Sequence, residues 1–394
     1  MIPYSRHLIT EDDIRAVTDV LRSDWLTTGP AVERFEASLA EYVGAKHAVA
    51  VSSGTAALHL CFMSQFQHTQ RYDLAGILTS PFSFVATANA AASISGCEVL
   101  VEFLDVEEAT GNMRLPEFYD AERFRFQPDV LVPVHYSGRA CVLPQHPRNR
   151  RGADWVAEAD IPIIEDACHA LGAMDYDGCS RVGSCAHSLA TCFSFHPVKP
   201  ITTGEGGAIT TNDEGLAKEL RSLRNHGRDE NGLMVRLGGN YRMSDIQAAL
   251  GLSQLKRCDE MRERRYDLGQ FYAEAFYGNR LAHFDIEPEG AIVLPVAGAY
   301  ADRNAWHLYP VRIKGGKRDA VKRYLNERGI GAQVHYSPII PMHPYYRERF
   351  HYREGSFPNA EAWAAETLSL PLHAGMTEKD VESVVETLKE ALNV

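Results

Sequence analysis

The sequence lacks several features that would define whole classes of proteins. Its 40 lysines and arginines are outnumbered by 52 acidic residues, for a formal net charge of −12, which disfavours a polyanion such as a nucleic acid as the main partner. Residues 1–7 contain no apolar core of a signal peptide, so we expect a cytoplasmic location. The longest uncharged stretch, 74–97, is interrupted by Gly76 and Pro81 and therefore predicts a strand, a loop and a helix, not a membrane span.

Cysteine is sparse, with eight residues and no CxxC pair. Four cysteines fall between Cys168 and Cys192, close to His169 and His187, but ten, five and six residues separate successive members. These spacings match no common zinc module, so we predict no metal and interpret the cysteines as mostly buried side chains in a reducing compartment. A zinc protein built on them is an alternative that predicts bound metal on purification.

The alternation of strand and helix patterns predicts the fold class. Seven short apolar segments precede residue 212: 48–51, 76–79, 98–101, 130–134, 161–164, 188–195 and 207–211. With helical patterns between them, they predict a mostly parallel seven-stranded sheet with helices on both faces. A long charged helix from Arg257 then leads into a smaller α+β unit, with a short strand expected at 331–334. We therefore predict a large domain at residues 1–256 and a small C-terminal domain at 257–394.

A hydroxyl-rich turn, Ser52 to Thr55, connects the first strand directly to an apolar helix. Backbone N–H groups at a helix start are free to hold an anion such as phosphate, and Ser and Thr hydroxyls add donors. Ser and Thr are also ordinary helix N-caps. The turn lacks the GxxxxGK[ST] pattern, so a nucleotide P-loop is not supported.

Lys199 stands on a loop at the end of the apolar segment 188–195. Pro197 ends that strand, and Pro200 prevents a helix directly behind the lysine. Ligands of open α/β sheets bind at this edge, where partial withdrawal from water lets a lysine amine attack an aldehyde. For any one lysine taken alone, a solvated side chain is the simpler interpretation.

Asp166 follows an apolar segment and should lie at the carboxyl end of a buried strand. A carboxylate there must be paired or strongly hydrogen-bonded, and a helix cap or an ion pair would explain it by itself. Asp166 is, however, one of several candidate residues that could form a single site, with the turn at Ser52, Phe84, Ser194 and Lys199. An anion cradle, a ring-stacking face, a counter-charge for a pyridinium nitrogen and a Schiff-base lysine are what a pyridoxal phosphate site needs.

Ordered motifs over nearly the whole chain resemble those of the DegT/DnrJ/EryC1/StrS sugar aminotransferases, which have the fold of type I aspartate aminotransferases. The motifs are Trp25-Leu-Thr-Thr-Gly-Pro30, Ser52-Ser-Gly-Thr-Ala-Ala-Leu58, Glu165-Asp-Ala-Cys-His-Ala170, Phe193-Ser-Phe-His-Pro-Val-Lys199, Gly204-Glu-Gly-Gly207 and Asn240-Tyr-Arg-Met-Ser-Asp-Ile-Gln-Ala-Ala249. This resemblance implies a pyridoxal phosphate enzyme that passes through pyridoxamine phosphate.

The resemblance also implies roles for residues around the cofactor ring. Lys199 would form the Schiff base, and Asp166 would pair with the pyridinium nitrogen. Phe84 would stack on the ring, and His169 would lie beside the ring hydroxyl. A lysine at position 199 implies transamination, because relatives with histidine there are dehydratases.

Further residues are implied to hold the cofactor phosphate. Thr55, the Ala56 amide and Ser194 would bind it within one chain. Asn240 would reach the phosphate of the neighbouring subunit's cofactor, which implies a homodimer with shared active sites.

Residues bordering the sugar are expected in motif loops, some of them contributed by the N-terminal segment. The candidates are Tyr4, Trp25, Leu26, Thr27 and His335. Plain packing is an equally good interpretation of each.

The implied reaction moves the amino group of L-glutamate to the 4-keto carbon of a nucleotide-linked 6-deoxy sugar. Within the family, further stretches, among them Ile2-Pro-Tyr-Ser-Arg6, Ser80-Pro-Phe-Ser-Phe-Val-Ala86 and Val334-His-Tyr-Ser-Pro338, resemble those of transaminases of pseudaminic acid synthesis. This resemblance implies UDP-2-acetamido-2,6-dideoxy-β-L-arabino-hexos-4-ulose as acceptor. Two departures weaken that substrate assignment: Pro200 stands where histidine is usual, and the segment 228–236 is short. The alternatives are a GDP-perosamine synthase or another nucleotide-sugar aminotransferase, and a dehydratase or regulatory protein with the same fold.

Overall fold

A computed structural model describes residues 1–66, 74–95, 98–116, 126–144, 154–176, 178–277, 291–295 and 301–393. Its helices are α1 (Glu11–Leu21), α2 (Pro30–Val43), α3 (Gly54–Phe66), α4 (Ala86–Ala92), α5 (Asp154–Glu158), α6 (Glu214–Leu223), α7 (Asp245–Leu255), α8 (Cys258–Tyr277), α9 (Arg318–Glu327), α10 (Pro344–Phe350), α11 (Pro358–Glu366) and α12 (Glu378–Asn393). Its strands are β1 (His47–Val51), β2 (Leu74–Thr79), β3 (Glu98–Phe103), β4 (Val130–Val132), β5 (Ile164–Asp166), β6 (Ala190–Ser194), β7 (Gly207–Thr211), β8 (Ile292–Val293), β9 (Tyr309–Ile313) and β10 (Thr367–Leu370).

The first seven strands form one continuous layer. Hydrogen bonds join β1-β7-β6-β5 and β3-β2-β4, and the parallel bridges Leu131–Ile163 and Val134–Asp166 link the two groups between β4 and β5. Strand β7 is antiparallel to both of its neighbours, whereas the pairs β5–β6, β2–β3 and β2–β4 are parallel. The predicted mostly parallel α/β sheet is therefore confirmed.

Alternation along the strands places a hydrophobic core on each face of this layer. In β1, Val49 and Val51 join one core, and Ala48 and Ala50 join the other. Successive strand side chains point to opposite faces, so a strand buried on both sides reads as a continuous apolar run. Helix α3 fills the first core and α2 the second, which is why nearly all residues of α3 are apolar or small and buried.

Strand β5 begins at Ile164, three residues later than the segment 161–164 had predicted. Pro162 has no N–H to give to a ladder, and its carbonyl accepts instead from the N–H of Leu131 at 3.0 Å. Because the strand is shifted, Asp166 is its last residue and stands at the carboxyl edge of the sheet.

A third core lies in the C-terminal part, where α8, α9 and α12 pack on the antiparallel sheet β10-β9-β8. The strand predicted at 331–334 is wrong: among the described residues, this segment forms one β contact, an isolated bridge from Gln333 to Ser369. A Cβ on Gly331 would lie 2.7 Å from the backbone nitrogen of Tyr4, so the N-terminal segment occupies the neighbouring space. The division into domains 1–256 and 257–394 stays a prediction.

No helix within the described ranges is both long enough and apolar enough to cross a membrane.

Candidate active site

Lys199 and Asp166 come together at the carboxyl edge of the sheet. The Lys199 side chain is half-buried, and its backbone N–H donates to the carbonyl of His196 at 2.9 Å, which holds the loop after β6. Burial lowers the pKa of the Lys199 amine, and the neighbouring Cys168 and Asp166 offset only part of this effect. The loop therefore presents an amine that gives up its proton more readily than a surface lysine does.

The Asp166 carboxylate is buried and fixed from two sides. The hydroxyl of Thr87 donates to Oδ2 at 2.7 Å, and the backbone N–H of Cys168 donates to Oδ1 at 3.1 Å. Among the described residues no lysine, arginine or histidine forms a salt bridge with it. Sequence analysis missed Thr87, whose one signal is a hydroxyl one turn beyond Phe84 in an alanine-rich helix.

A buried polar network fixes the strand end that carries Asp166. Glu165 accepts hydrogen bonds from Thr191 at 2.8 Å and from Ser188 at 2.5 Å, and it lies 2.7 Å from Nε2 of His135. Burial lowers the pKa of His135, but its contacts with Cys141 and Glu165 outweigh this effect and raise the pKa above its ordinary value. The backbone N–H of Cys141 nevertheless donates to Nδ1 at 2.9 Å, which leaves no place for a hydrogen on that nitrogen. Nδ1 therefore carries no proton, and His135 is a neutral imidazole whose Nε2–H donates to Glu165.

Replacing Glu165 by alanine is expected to destabilise the fold by about 3–5 kcal/mol, because several buried donors lose their acceptor. Urea unfolding followed by circular dichroism measures this loss. Glu165→Gln keeps an acceptor and should lose less. Lys218→Ala, which removes the exposed pair with Glu214, should leave the unfolding midpoint nearly unchanged. An equally small change for Glu165→Ala would show that the network does not support β5.

The predicted phosphate turn lies beside the end of β6. Helix α3 begins at Gly54, and Oγ of Ser53 accepts the N–H of Ala56 at 3.0 Å. A Cβ on Gly54 would lie 2.8 Å from Cβ of Ser194. The structure thus brings Ser194 to the first turn of α3, where Thr55 is exposed. Amides of a first helical turn and flanking hydroxyls suit a phosphate.

Glycine is required where β7 passes this turn. A Cβ on Gly207 would lie 2.4 Å from the carbonyl carbon of Ser53. The close approach keeps the turn against β7, which explains the need for glycine in the motif that follows the lysine.

His169 and Phe84 are joined by a residue that sequence analysis did not single out. The hydroxyl of Tyr336 lies 3.1 Å from Nε2 of His169, and the rings of Tyr336 and Phe84 are 6.1 Å apart. The Phe84 side chain is 58% exposed and so has an open face available for a planar ligand. The one signal for Tyr336 in the sequence is its position directly after His335, a candidate for the sugar site.

The residues expected to border the sugar fall into two groups. The rings of Tyr4 and His335 lie 5.1 Å apart near His169 and Tyr336, and burial raises the pKa of Tyr4 to about 12. Trp25, Leu26 and Thr27 are exposed and run along the start of α7: the Leu26 carbonyl accepts from Asp245 at 3.0 Å, and Thr27 bridges Ser244. Their contact with a sugar stays a prediction.

Asn240 is exposed and lies beside the phosphate turn of its own chain. The carbonyl of Tyr241 accepts the N–H of Ser52 at 2.8 Å, and Oδ1 of Asn240 accepts the N–H of Arg242 at 3.4 Å. Its reach to a second subunit stays a prediction. Within the described residues, no group of three His, Cys, Asp or Glu side chains is arranged to hold a metal ion.

The pH dependence of stability should carry the signature of His335. Burial lowers the pKa of His335 to about 4, and Lys199 and Lys322 add repulsion. In the unfolded chain the pKa is about 6.5, so the unfolded state binds more protons and stability falls with decreasing pH. Between pH 7 and pH 5 this residue alone should cost about 2 kcal/mol.

Urea unfolding at the two pH values tests this expectation. The His335→Gln variant should lose about 2 kcal/mol less than the wild-type protein between pH 7 and pH 5. His196→Gln, at an exposed histidine, should retain the wild-type difference. If His335→Gln lost as much stability between pH 7 and pH 5 as the wild-type protein, the lowered pKa of His335 would not be the cause of the pH dependence.

The fold and this site define an aminotransferase of fold type I. A lysine and a buried aspartate lie at the carboxyl edge of the sheet, together with a helix start suited to an anion and the exposed ring of Phe84. Residues 7–389 match the DegT/DnrJ/EryC1/StrS aminotransferase family. The chain belongs to this family.

Individual relatives are similar over their full length. The UDP-4-amino-4,6-dideoxy-N-acetyl-β-L-altrosamine transaminase of Campylobacter jejuni is 34% identical, over 98% of this chain and 96% of the relative. Among solved structures, Helicobacter pylori PseC, an aminotransferase of pseudaminic acid biosynthesis, has a TM-score of 0.84 and 30% identity, covering 100% and 99% of the two chains. The putative sugar aminotransferase Spr1654 of Streptococcus pneumoniae, in its PLP form, has a TM-score of 0.82 and 26% identity, covering 100% and 98%.

These findings confirm the predicted family, fold class and transaminase activity, and pyridoxal phosphate, the predicted cofactor, is the one named for Spr1654. The residues present fit this cofactor: a lysine with a lowered pKa, a buried carboxylate that forms no salt bridge among the described residues, and a helix start beside Ser194. The roles of individual residues stay predictions.

Proposed function

We propose that the protein transfers the amino group of L-glutamate to the 4-keto carbon of UDP-2-acetamido-2,6-dideoxy-β-L-arabino-hexos-4-ulose, with pyridoxal phosphate as cofactor. The observation that carries the proposal is the half-buried Lys199 beside the buried Asp166 carboxylate at the sheet edge. The sugar is supported by the altrosamine transaminase at 34% identity and by the structural similarity to PseC. A cytoplasmic location, where nucleotide sugars are made, belongs to this proposal.

Each residue has one task in this reaction. The bound cofactor supplies an electron sink for the carbon that loses or gains a proton. Asp166 keeps the pyridine nitrogen protonated. Lys199, whose lowered pKa leaves a larger share of free amine, moves the proton at the reacting carbon. Ser194, Thr55 and the Ala56 amide bind the phosphate, and Phe84 covers one face of the ring.

The acceptor is tested by offering UDP-, GDP- and dTDP-linked 4-keto-6-deoxy sugars with L-glutamate, and by measuring 2-oxoglutarate and the amino sugar together. We expect the UDP-linked N-acetyl sugar to give the highest kcat/KM. A preference for the GDP- or dTDP-linked sugar would keep the assignment as a transaminase but change the assigned acceptor, for example to that of a GDP-perosamine synthase. Failure to release 2-oxoglutarate in step with amino sugar would favour a dehydratase or a regulatory protein.

We also propose that the active form is a homodimer. Four apolar side chains of the loop 228–239 are exposed by more than half: Leu233, Met234, Val235 and Leu237. The loop has a fixed shape, because Asp229 accepts from the N–H of Leu233 at 2.8 Å and Gly227 accepts from that of Val235 at 2.9 Å. An ordered apolar loop of this kind suits burial by a second copy, and it leads directly to Asn240.

Sedimentation of the wild-type protein and of a Leu233→Ser/Met234→Ser variant tests the dimer. We expect a wild-type dimer and a weakened dimer in the variant, together with weaker cofactor retention. A wild-type monomer with full cofactor occupancy would contradict shared sites.

A further inference from the structure

A buried contact links the loop of Tyr336 to the candidate cofactor site. The Tyr336 hydroxyl lies 3.1 Å from Nε2 of His169, and the two rings are nearly parallel, with centroids 6.2 Å apart and an interplanar angle of 24°. The Tyr336 ring also faces Phe84, with 6.1 Å between centroids. One side chain thus contacts both residues predicted to flank the cofactor ring.

The hydrogen bond has a defined direction. Burial raises the pKa of Tyr336 well above its ordinary value, so its hydroxyl keeps its hydrogen. Burial, and then Lys199 and His335, lower the pKa of His169 well below the ordinary value, so the imidazole is neutral. Among the described residues Nε2 of His169 is the only hydrogen-bond partner of the Tyr336 hydroxyl. If the hydroxyl accepted instead of donating, its own hydrogen would be buried without an acceptor.

Donation by Tyr336 leaves the His169 hydrogen on Nδ1. This nitrogen is buried and has no hydrogen-bond partner among the described residues. The ring of His307 packs 4.4 Å away between centroids, but its own Nδ1 is also without a partner, so no hydrogen bond joins the two rings through these atoms. A buried N–H without an acceptor costs about 1–3 kcal/mol, which a ligand oxygen would recover.

The groups around His169 select an anionic acceptor for this N–H. Lys199 lies close enough to lower the pKa of His169, as does His335, and Tyr336 is neutral. The Asp166 carboxylate is already engaged by Thr87 and Cys168. The ionised ring oxygen of pyridoxal phosphate is an acceptor of the required kind, and the family resemblance implies that it lies beside His169.

We propose that Tyr336 is a positioning residue: its hydroxyl fixes the tautomer of His169, so that Nδ1–H donates to the ring oxygen of the cofactor. This inference rests on the proposed function. A donor on that oxygen withdraws negative charge, and so lowers the proton affinity of the nitrogen that joins the cofactor to Lys199.

The Tyr336→Phe variant tests the proposal through the absorbance of the holoenzyme. Without the Tyr336 hydroxyl to fix the tautomer of His169, the nitrogen that joins the cofactor to Lys199 should keep its proton to higher pH. The pH midpoint at which the yellow band gives way to the near-ultraviolet band should rise, by about a tenfold change in proton affinity. Tyr272→Phe is the matched control, because it removes a buried tyrosine hydroxyl that donates to the Pro371 carbonyl at 2.9 Å in the C-terminal core. Its midpoint should equal that of the wild-type protein.

A second background separates positioning from packing. In His169→Gln the side-chain amide carries its hydrogens whatever residue 336 is, so adding Tyr336→Phe should leave the midpoint where His169→Gln puts it. An unchanged midpoint in Tyr336→Phe alone, or an equal shift in both backgrounds, would overturn the inference. A wild-type protein that gains no yellow band with pyridoxal phosphate would instead remove the proposed function itself.

Discussion

Replacing Lys199 by alanine should abolish transamination, with a loss of about 10⁴-fold or more. In the proposed reaction, the lysine would serve both as the covalent anchor of the cofactor and as the base that moves the proton at the reacting carbon. Alanine removes both functions but leaves the turn at Ser52 and the Asp166 carboxylate in place. The variant should therefore still bind pyridoxamine phosphate, which needs no bond to a lysine.

Two measurements separate these effects. Amino sugar formation from L-glutamate reports the reaction, and equilibrium dialysis with pyridoxamine phosphate reports the intact site. Lys218→Ala is the control, since it removes an exposed lysine paired only with Glu214 at the surface, and it should retain wild-type activity. Full activity in Lys199→Ala would refute the assignment of the site.

Asp166→Asn should retain the cofactor and lose about 10²- to 10⁴-fold in kcat. Asparagine has nearly the same shape: its oxygen can still accept from the N–H of Cys168, and its amide nitrogen can donate to the hydroxyl oxygen of Thr87. The site should therefore stay assembled. It carries no charge, however, so it does not stabilise a protonated pyridine nitrogen that faces it in a buried position. Breaking a buried charge pair costs about 3–5 kcal/mol, which corresponds to that loss when it falls on the transition state.

Asp13→Asn is the matched control for this variant. Asp13 is also a buried carboxylate, paired with Arg257 at 2.7 Å at the start of α1. Its replacement should lower the unfolding midpoint and leave kcat unchanged. If Asp166→Asn kept wild-type kcat with bound cofactor, Asp166 would have a structural role only.

The amino-acid sequence by itself determined those parts of the protein that depend on neighbours along the chain. Apolar runs and their breaks placed the seven strands of the main sheet, and Pro197 and Pro200 located the Lys199 loop. The position of Asp166 at a strand end and the turn before α3 follow from the same local rules. Short-range patterns suffice there because strand ends of one sheet edge must meet.

Tertiary structure alone decided which side chains complete the site. Thr87 is 79 residues from Asp166, and Tyr336 is 167 residues from His169, yet each pair shares a hydrogen bond. The failed strand at 331–334 has the same origin, since the N-terminal segment at Tyr4 takes the space beside Gly331. Periodicity records which residues are buried, but the partner of a buried polar group is selected by packing between distant segments, and no local pattern encodes that choice.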